Sequence, residues 1–333
     1  MTASIAQKST DDTPISAPDS AIEVKNLSKT YKSAFGQPEK IALDNVSLSI
    51  PRGSFFALLG PNGAGKSTFI NILAGLVMKT SGDAKIWGYD IEDQMRAARR
   101  AIGIVPQELN LDPFFTPREL LEVQAGLYGV PQSMRRTDEI LDAVGLADKA
   151  NSYARTLSGG MRRRLLVAKA MVHSPKILVL DEPTAGVDIE LRMQLWDYVR
   201  ELNRMGTTVL LTTHYLEEAE ELCDKVAIIN KGNLIACDET KTLLNKMDAK
   251  ELIITVAETL EKAPDSLRGF GYNVTLLPGN SLSFQYSPSK VEIAKILELV
   301  SEAKLTITDL TTKESDLEDL FLRLTREDNA QHA

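Results

Sequence analysis

The sequence predicts an α/β protein, a mostly parallel sheet with helices on its faces, followed by a smaller α+β domain. Three observations carry this prediction. Short apolar runs of strand length at residues 54–59, 176–180, 207–212 and 225–229 alternate with helix-periodic segments, the pattern of a sheet buried on both faces. A helix-rich stretch over residues 111–169 interrupts the alternation as an inserted subdomain. After residue 248 the pattern changes to short alternating strands, a hairpin signal and two amphipathic helices. The chain length of 333 residues fits two domains of roughly 150 each.

In order along the chain, residues 1–20 are polar and rich in Ser, Thr, Asp and Pro, which reads as a disordered tail without a signal-peptide core. Ala21-Ile22-Glu23-Val24 alternates like a half-buried strand, and residues 41–50 do the same through Leu43, Val46, Leu48 and Ile50. Pro51-Arg52-Gly53 turns the chain into the next strand. Phe55 to Leu59 then leads into a glycine-rich loop, and residues 66–76 follow with helical spacing at Phe69, Ile70, Leu73 and Leu76. Inside the helical stretch, residues 117–128, 132–144 and 160–172 read as helices. A buried strand at 176–180 precedes a helix at 189–205, spaced through Leu191, Leu195, Val199 and Leu202 and closed by Gly206. Strand 207–212, short helix 216–222 and strand 225–229 complete the domain assigned to residues 21–248.

The second domain, residues 249–326, opens with an alternating strand at 251–256. Strands 272–277 and 281–286 are joined through Pro278-Gly279-Asn280, a hairpin signal. Helix 291–302, strand 305–308 and helix 317–324 follow, and residues 327–333 read as a second disordered tail.

Composition excludes several classes. Lys plus Arg number 38 against 46 Asp plus Glu, a net charge of −8, so a nucleic-acid partner is not expected. No apolar run approaches the ~18 residues that cross a bilayer. Cys223 and Cys237 lack metal spacing and are too few for a disulfide framework.

Gly60-Pro61-Asn62-Gly63-Ala64-Gly65-Lys66-Ser67-Thr68 fits the pattern G-x-x-x-x-G-K-[ST] between a strand and a helix. Glycines let backbone amides approach phosphate oxygens, and the helix start adds unsatisfied N–H groups. Lys66 is expected on the β and γ phosphates and the Ser67 hydroxyl on magnesium. A second motif, Ile177-Leu178-Val179-Leu180-Asp181-Glu182, carries two carboxylates to the end of a buried strand, where α/β sheets bind ligands. Asp181 is placed to hold Mg2+, and Glu182 to act as general base on the attacking water.

With these two motifs, Leu157-Ser158-Gly159-Gly160-Met161 resembles the signature of the ATP-binding cassette (ABC) ATPases, whose fold is a P-loop NTPase core with antiparallel β and helical subdomains. The resemblance covers about residues 22–240 and keeps the family order of motifs. It implies that Tyr31 stacks on adenine, that Gln107 is the catalytic and metal-sensing glutamine, that Asp188 lies in the loop joining two nucleotide sites, and that His214 is the switch histidine. Met161 stands where the family commonly has glutamine, and Ala185-Gly186-Val187-Asp188 where it often has Ser-x-Leu-Asp. Arg162-Arg163-Arg164 reads as the solvated start of a helix.

The resemblance also implies a partner. In the family, Leu157, Ser158, Gly159 and Gly160 face the γ-phosphate of ATP held by another subunit. One copy of each motif therefore implies a head-to-tail homodimer around two ATP molecules. The segment Leu317-Glu318-Asp319-Leu320-Phe321-Leu322-Arg323-Leu324 is similar to the closing motif of type-2 ABC exporter ATPases of bacteria. That implies ATP hydrolysis driving export through a separate multi-span membrane permease, with this chain on the cytoplasmic face of the membrane. Residues 110–119, with Phe114 and Phe115, are the candidate permease contact, their alternative being subdomain core. An importer ATPase is the second reading. A chromosome, repair or translation ATPase is a third, disfavoured because only about 90 residues separate phosphate loop and signature, too few for a coiled-coil insertion.

Overall fold

A computed structural model describes residues 18–32, 39–184, 187, 189–245, 250–314 and 316–331. Most of the expected N-terminal tail and Asp188 lie outside these residues. The chain divides into two compact units, Met1–Cys237 and Asp238–Ala333.

The first unit begins with β1 (Ser20–Tyr31) and β2 (Lys40–Pro51), an antiparallel pair in which Tyr31 faces Lys40. The fully buried β3 (Phe55–Leu59) runs into the glycine loop and α1 (Lys66–Leu73). The helix stops short of the expected residue 76 because Gly75 adopts φ +68°, open to glycine at little cost, and Arg99 Nη2 donates to Gly75 O at 2.8 Å. Leu76, beyond that turn, is exposed. Next come β4 (Ser81–Ile86), β5 (Tyr89–Asp90), α2 (Met95–Ala101) and β6 (Ile102–Val105), four elements that the sequence analysis did not assign.

The helical stretch contains α3 (Pro117–Leu127), α4 (Thr137–Ala143) and α5 (Gly159–Met171). Thr116 and Glu119 form a reciprocal capping box at the start of α3, with Pro117 in the first turn. The helix expected over 132–144 is instead a 3-10 turn, Gln132–Met134, and then α4. Arg135 breaks it: its backbone is extended, and its guanidinium pairs with Glu122 at 2.6 Å and donates to Val130 O at 3.2 Å. Leu121, Leu141 and Leu165 place one buried residue from each helix in a common core.

Then follow β7 (Ile177–Asp181), α6 (Ile189–Arg204), β8 (Thr208–Thr212), α7 (Leu216–Leu222), β9 (Lys225–Asn230) and β10 (Asn233–Glu239). The large sheet has the order β10-β9-β3-β8-β7-β6, parallel from β9 to β6. A second sheet, β2-β1-β4-β5, is antiparallel. Phe69 and Ile72 of α1 share one core with Val46 and Ile50 from the antiparallel sheet and Leu58, Val179 and Leu210 from the parallel one. The phosphate-loop helix is therefore held by both sheets.

The second unit holds α8 (Thr240–Asn245), β11 (Lys250–Val256), β12 (Tyr272–Leu277), β13 (Ser281–Tyr286), α9 (Ile293–Glu302), β14 (Ile307–Glu314) and α10 (Leu317–Gln331). Its antiparallel sheet runs β12-β13-β11-β14, with Ile296 and Val300 of α9 packed in one cluster with Leu252 and Phe284. The expected hairpin forms, with Gly279 and Asn280 at positive φ. β14 extends past the expected residue 308 because pairing with β11 continues to Glu314, along residues too polar to show an alternation. α10 passes the expected end at 324 and runs into the expected tail; residues 325–331 contain neither Gly nor Pro to stop it.

Candidate nucleotide site

At the C-terminal ends of the parallel strands, the glycine loop borders a cavity of 670 Å³. Asn62, Gly63, Ala64, Gly65, Lys66, Ser67 and Thr68 line it, together with Tyr31, Gln107, Glu182 and His214. Gly65 caps α1 at φ +113°, and a Cβ there would come within 2.4 Å of Ala42 O, so no other residue fits this turn. Gly60 and Pro61 form the base of the loop: Lys66 Nζ donates to Gly60 O at 2.6 Å and to Pro61 O at 3.3 Å. Burial pushes the Lys66 ammonium below its ordinary pKa, and the charges of Glu182 and Asp181 oppose that shift. The result is a desolvated cation facing two carboxylates beside the free amides of a helix start.

β7 and β8 deliver the acidic pair. Asp181 accepts a hydrogen bond from Thr212 Oγ1 at 2.5 Å, and burial raises its carboxyl above the ordinary range. Glu182 sits at φ +46°, a strained conformation for a branchless but bulky side chain. Its N–H holds it there by donating to Thr212 O at 3.0 Å and to Thr212 Oγ1 at 3.2 Å. Two other predicted residues reach the same carboxylate oxygen: Gln107 Nε2 donates to Glu182 Oε2 at 3.0 Å, and His214 Nδ1 lies 3.3 Å from it. Gln107 and His214 thus meet on one oxygen of Glu182, the residue just past the acidic strand end.

Behind the histidine, Glu218 is a buried hub. Its Oε2 accepts from Thr213 Oγ1 at 2.8 Å and Thr184 Oγ1 at 3.1 Å, and its Oε1 lies 3.6 Å from Arg192 Nε. In the sequence Glu218 stands only within the short helix expected at 216–222, with no motif to mark it. Lys40 and Ala42 also line the cavity unforeseen. Lys40 stands opposite Tyr31 across the β1–β2 ladder, a register that no sequence pattern gives. Lys29 Nζ stands 4.9 Å over the Tyr31 ring, so a cation already covers one face of the aromatic predicted to stack on adenine.

The signature residues lie elsewhere. None of Leu157, Ser158, Gly159 and Gly160 lines the cavity. Leu157 is buried in the helical core, and the Ser158 side chain caps α5 by accepting from Met161 N at 3.2 Å. Gly159 opens onto space, with nothing within 4 Å of where a Cβ would stand. The arginines after it are not a solvated face. Arg163 is 4% exposed and donates to Pro106 O and Gln107 O, and Arg164 Nη1 donates to Val144 O at 2.7 Å. Backbone carbonyls of neighbouring segments draw these side chains inward, which a run of like charges does not reveal.

The residues expected at magnesium fit it: the hydroxyl of Ser67, the carboxylate of Asp181 and the carboxamide of Gln107 would offer a hard oxygen set of the kind that cation takes. The raised carboxyl of Asp181 is a charge held at a cost that a cation would relieve. Among the described residues no group of three or more His, Cys, Asp or Glu could hold a metal ion by itself. Among the same residues no helix is long and apolar enough to cross a membrane.

Comparison with known proteins agrees with this geometry. The ABC transporter family model matches residues 43–185. A linearmycin resistance ATP-binding protein of Bacillus subtilis is 36% identical over 91% of this chain and 98% of its own length. The daunorubicin/doxorubicin resistance ATP-binding protein of Streptomyces peucetius is 35% identical over 92% of this chain and 93% of its own. A Nod factor export ATP-binding protein of Ralstonia nicotianae is 34% identical over 91% and 93%. Among solved structures, an ATP-binding subunit of an ABC transporter superposes with a TM-score of 0.61 at 30% identity, covering 68% of this chain and 93% of that one. A dimeric ATP-binding cassette in a post-hydrolysis state, bound to ADP and phosphate, superposes with a TM-score of 0.59 at 30% identity over 66% of this chain and 98% of that one.

Proposed function

This chain belongs to the ABC transporter family and is an ATP-binding ATPase, and we propose that it works as one of two identical subunits that power export of a substrate through a separate membrane-spanning permease. The observation that carries the reading is the meeting of Gln107, Glu182 and His214 in the lining of the phosphate-loop cavity, to which none of the signature residues contributes. A cavity built in that way holds the phosphates from one side only. A second anion-binding helix start, exposed at Gly159, is left to serve the cavity of another copy.

Within one site, Asn62 to Thr68 hold the phosphates through backbone amides and the Lys66 ammonium. Tyr31 and Lys40 bound the nucleoside end. Ser67, Asp181 and Gln107 would hold magnesium, which when bound would supply positive charge beside the phosphates. Glu182 accepts the proton of the attacking water, kept in position by Gln107 on one side and His214 on the other. Strain at φ +46° presets the carboxylate so that little reorganisation is needed at the reaction. Hydrolysis to ADP and phosphate removes the link between two chains, so the pair opens.

Export is favoured over import by the full-length match to resistance and export ATP-binding proteins. Exposed Phe114 is offered as part of the permease contact on the cytoplasmic face of the membrane. The test is co-purification of tagged full-length chain from detergent-solubilised native membranes with ATP and magnesium, followed by mass spectrometry. A stoichiometric protein with about six apolar spans of ~20 residues supports the reading. Recovery of an importer with its solute-binding protein, or of ribosomal or DNA factors instead, sinks it.

A further inference from the structure

Pro106 and Gln107 follow directly on the end of β6 at Val105. Strand ladders satisfy backbone carbonyls; a loop leaving the ladder must find other donors. Here both carbonyls are met by one side chain. Arg163 Nη1 donates to Pro106 O at 2.9 Å and Nη2 to Gln107 O at 2.9 Å. Arg163 belongs to α5, whose first residues are the signature glycines. The other end of the tethered segment is equally well defined, because the Gln107 carboxamide donates to Glu182 Oε2. A planar guanidinium fork fixes both the distance and the plane of the two carbonyls it grips, which an ammonium cannot do. At 4% exposure, water cannot take its place.

We propose that Arg163 is a positioning residue that transmits the placement of the signature helix to Gln107 and through it to Glu182. A shift of α5 as its N-terminus engages a phosphate carries the fork with it, and the fork carries the glutamine loop. Each catalytic carboxylate is then set only when the signature helix of its own chain is seated, which ties hydrolysis at one nucleotide to occupancy at the other. This inference rests on the roles given above to Gln107 and Glu182. The plainer role, that Arg163 merely satisfies two loop carbonyls, predicts a loss of stability without a specific effect on turnover.

The test is a double-mutant cycle on the full-length chain, measuring kcat and KM for ATP, nucleotide affinity by fluorescence, and melting temperature. Arg163→Lys keeps the buried charge but offers no fork. We expect it to lower kcat about tenfold to a hundredfold, the scale of a misplaced catalytic group, with nucleotide affinity changed by less than about threefold. Combined with Gln107→Ala, it should add no further loss, because both changes cut the same link. An unchanged kcat, a loss confined to affinity or melting temperature, or losses that multiply in the double variant each overturn the tether. If Gln107→Ala alone leaves kcat unchanged, the reading of Gln107 itself fails, which the other results do not touch. Should the lysine variant not fold, Arg163→Gln carries the same cycle with the same outcomes.

Discussion

Two side chains of the cavity can be separated by what they do to binding and to turnover. Lys66 is desolvated and already held by two loop carbonyls, so nucleotide phosphates meet a cation whose position needs no search. Lys66→Ala is therefore expected to weaken ATP binding by about tenfold or more, the worth of one charge-assisted contact, as read by nucleotide titration. Glu182 bears on chemistry rather than affinity. Glu182→Gln keeps the shape and can still accept from Gln107, but it takes no proton from water; turnover should fall by roughly 10²–10⁴ while ATP affinity holds. Equal losses in affinity and rate for Glu182→Gln would remove its role as base. Both residues were legible in the sequence, because a glycine loop and an acidic strand end are local patterns. Arg163 was not, because it takes its role from a segment 57 residues away in the chain, and Lys40 was not, because only the register of the β1–β2 ladder sets it opposite Tyr31.

At the scale of elements, α5 and α3 are joined by a contact that answers to pH. His173, just past α5, donates from Nε2 to Ile102 O at 3.1 Å and stacks on Tyr128 at 3.7 Å between ring centroids. That bond fixes the tautomer and leaves Nδ1 buried without a partner. Burial lowers the His173 pKa from its ordinary 6.5, with the nearby Arg100 charge acting in the same direction and the bond to Ile102 opposing both. The folded chain thus binds this proton less tightly than the unfolded one. The resulting stability is fully present above pH 6.5 and is lost as pH falls toward the lowered folded value, with a slope of up to about 1.4 kcal/mol per pH unit. Urea titrations at pH 7, 6 and 5 should show that slope flattened in His173→Gln; parallel slopes would remove His173 from the account. Elements with strong periodicity or turn signals, such as β3, β7 and the β12–β13 hairpin, were readable beforehand. Helix α4 was shortened by the tertiary grip on Arg135, and β14 was lengthened by its pairing with β11, so their ends depend on partners that periodicity does not encode.

For the whole molecule, the decisive question is whether one complete site needs two chains. Gly159 allows it to be asked cleanly. It stands at the first position of α5 with open space where a Cβ would go, so Gly159→Asp should fold, and an acidic residue there suits a helix N-terminus. The added carboxylate repels a phosphate approaching that helix. By itself Gly159→Asp should lose turnover while binding ATP in its own cavity, since Gly159 does not line that cavity. Lys66→Ala should lose turnover through the opposite half. If sites are composite, mixing the two variants restores one intact pairing in each mixed dimer, an unaltered phosphate loop against an unaltered signature. In such a mixed pair ATP should hold the two chains together through that one intact interface, as read by light scattering, while turnover stays low, because the chain whose phosphate loop is unaltered carries Gly159→Asp on its own signature helix and cannot seat its carboxylate. Should the mixture form no more ATP-dependent dimer than either variant alone, while both variants remain folded, the head-to-tail pair is excluded; recovered turnover in the mixture would instead overturn the coupling of each carboxylate to its own signature helix.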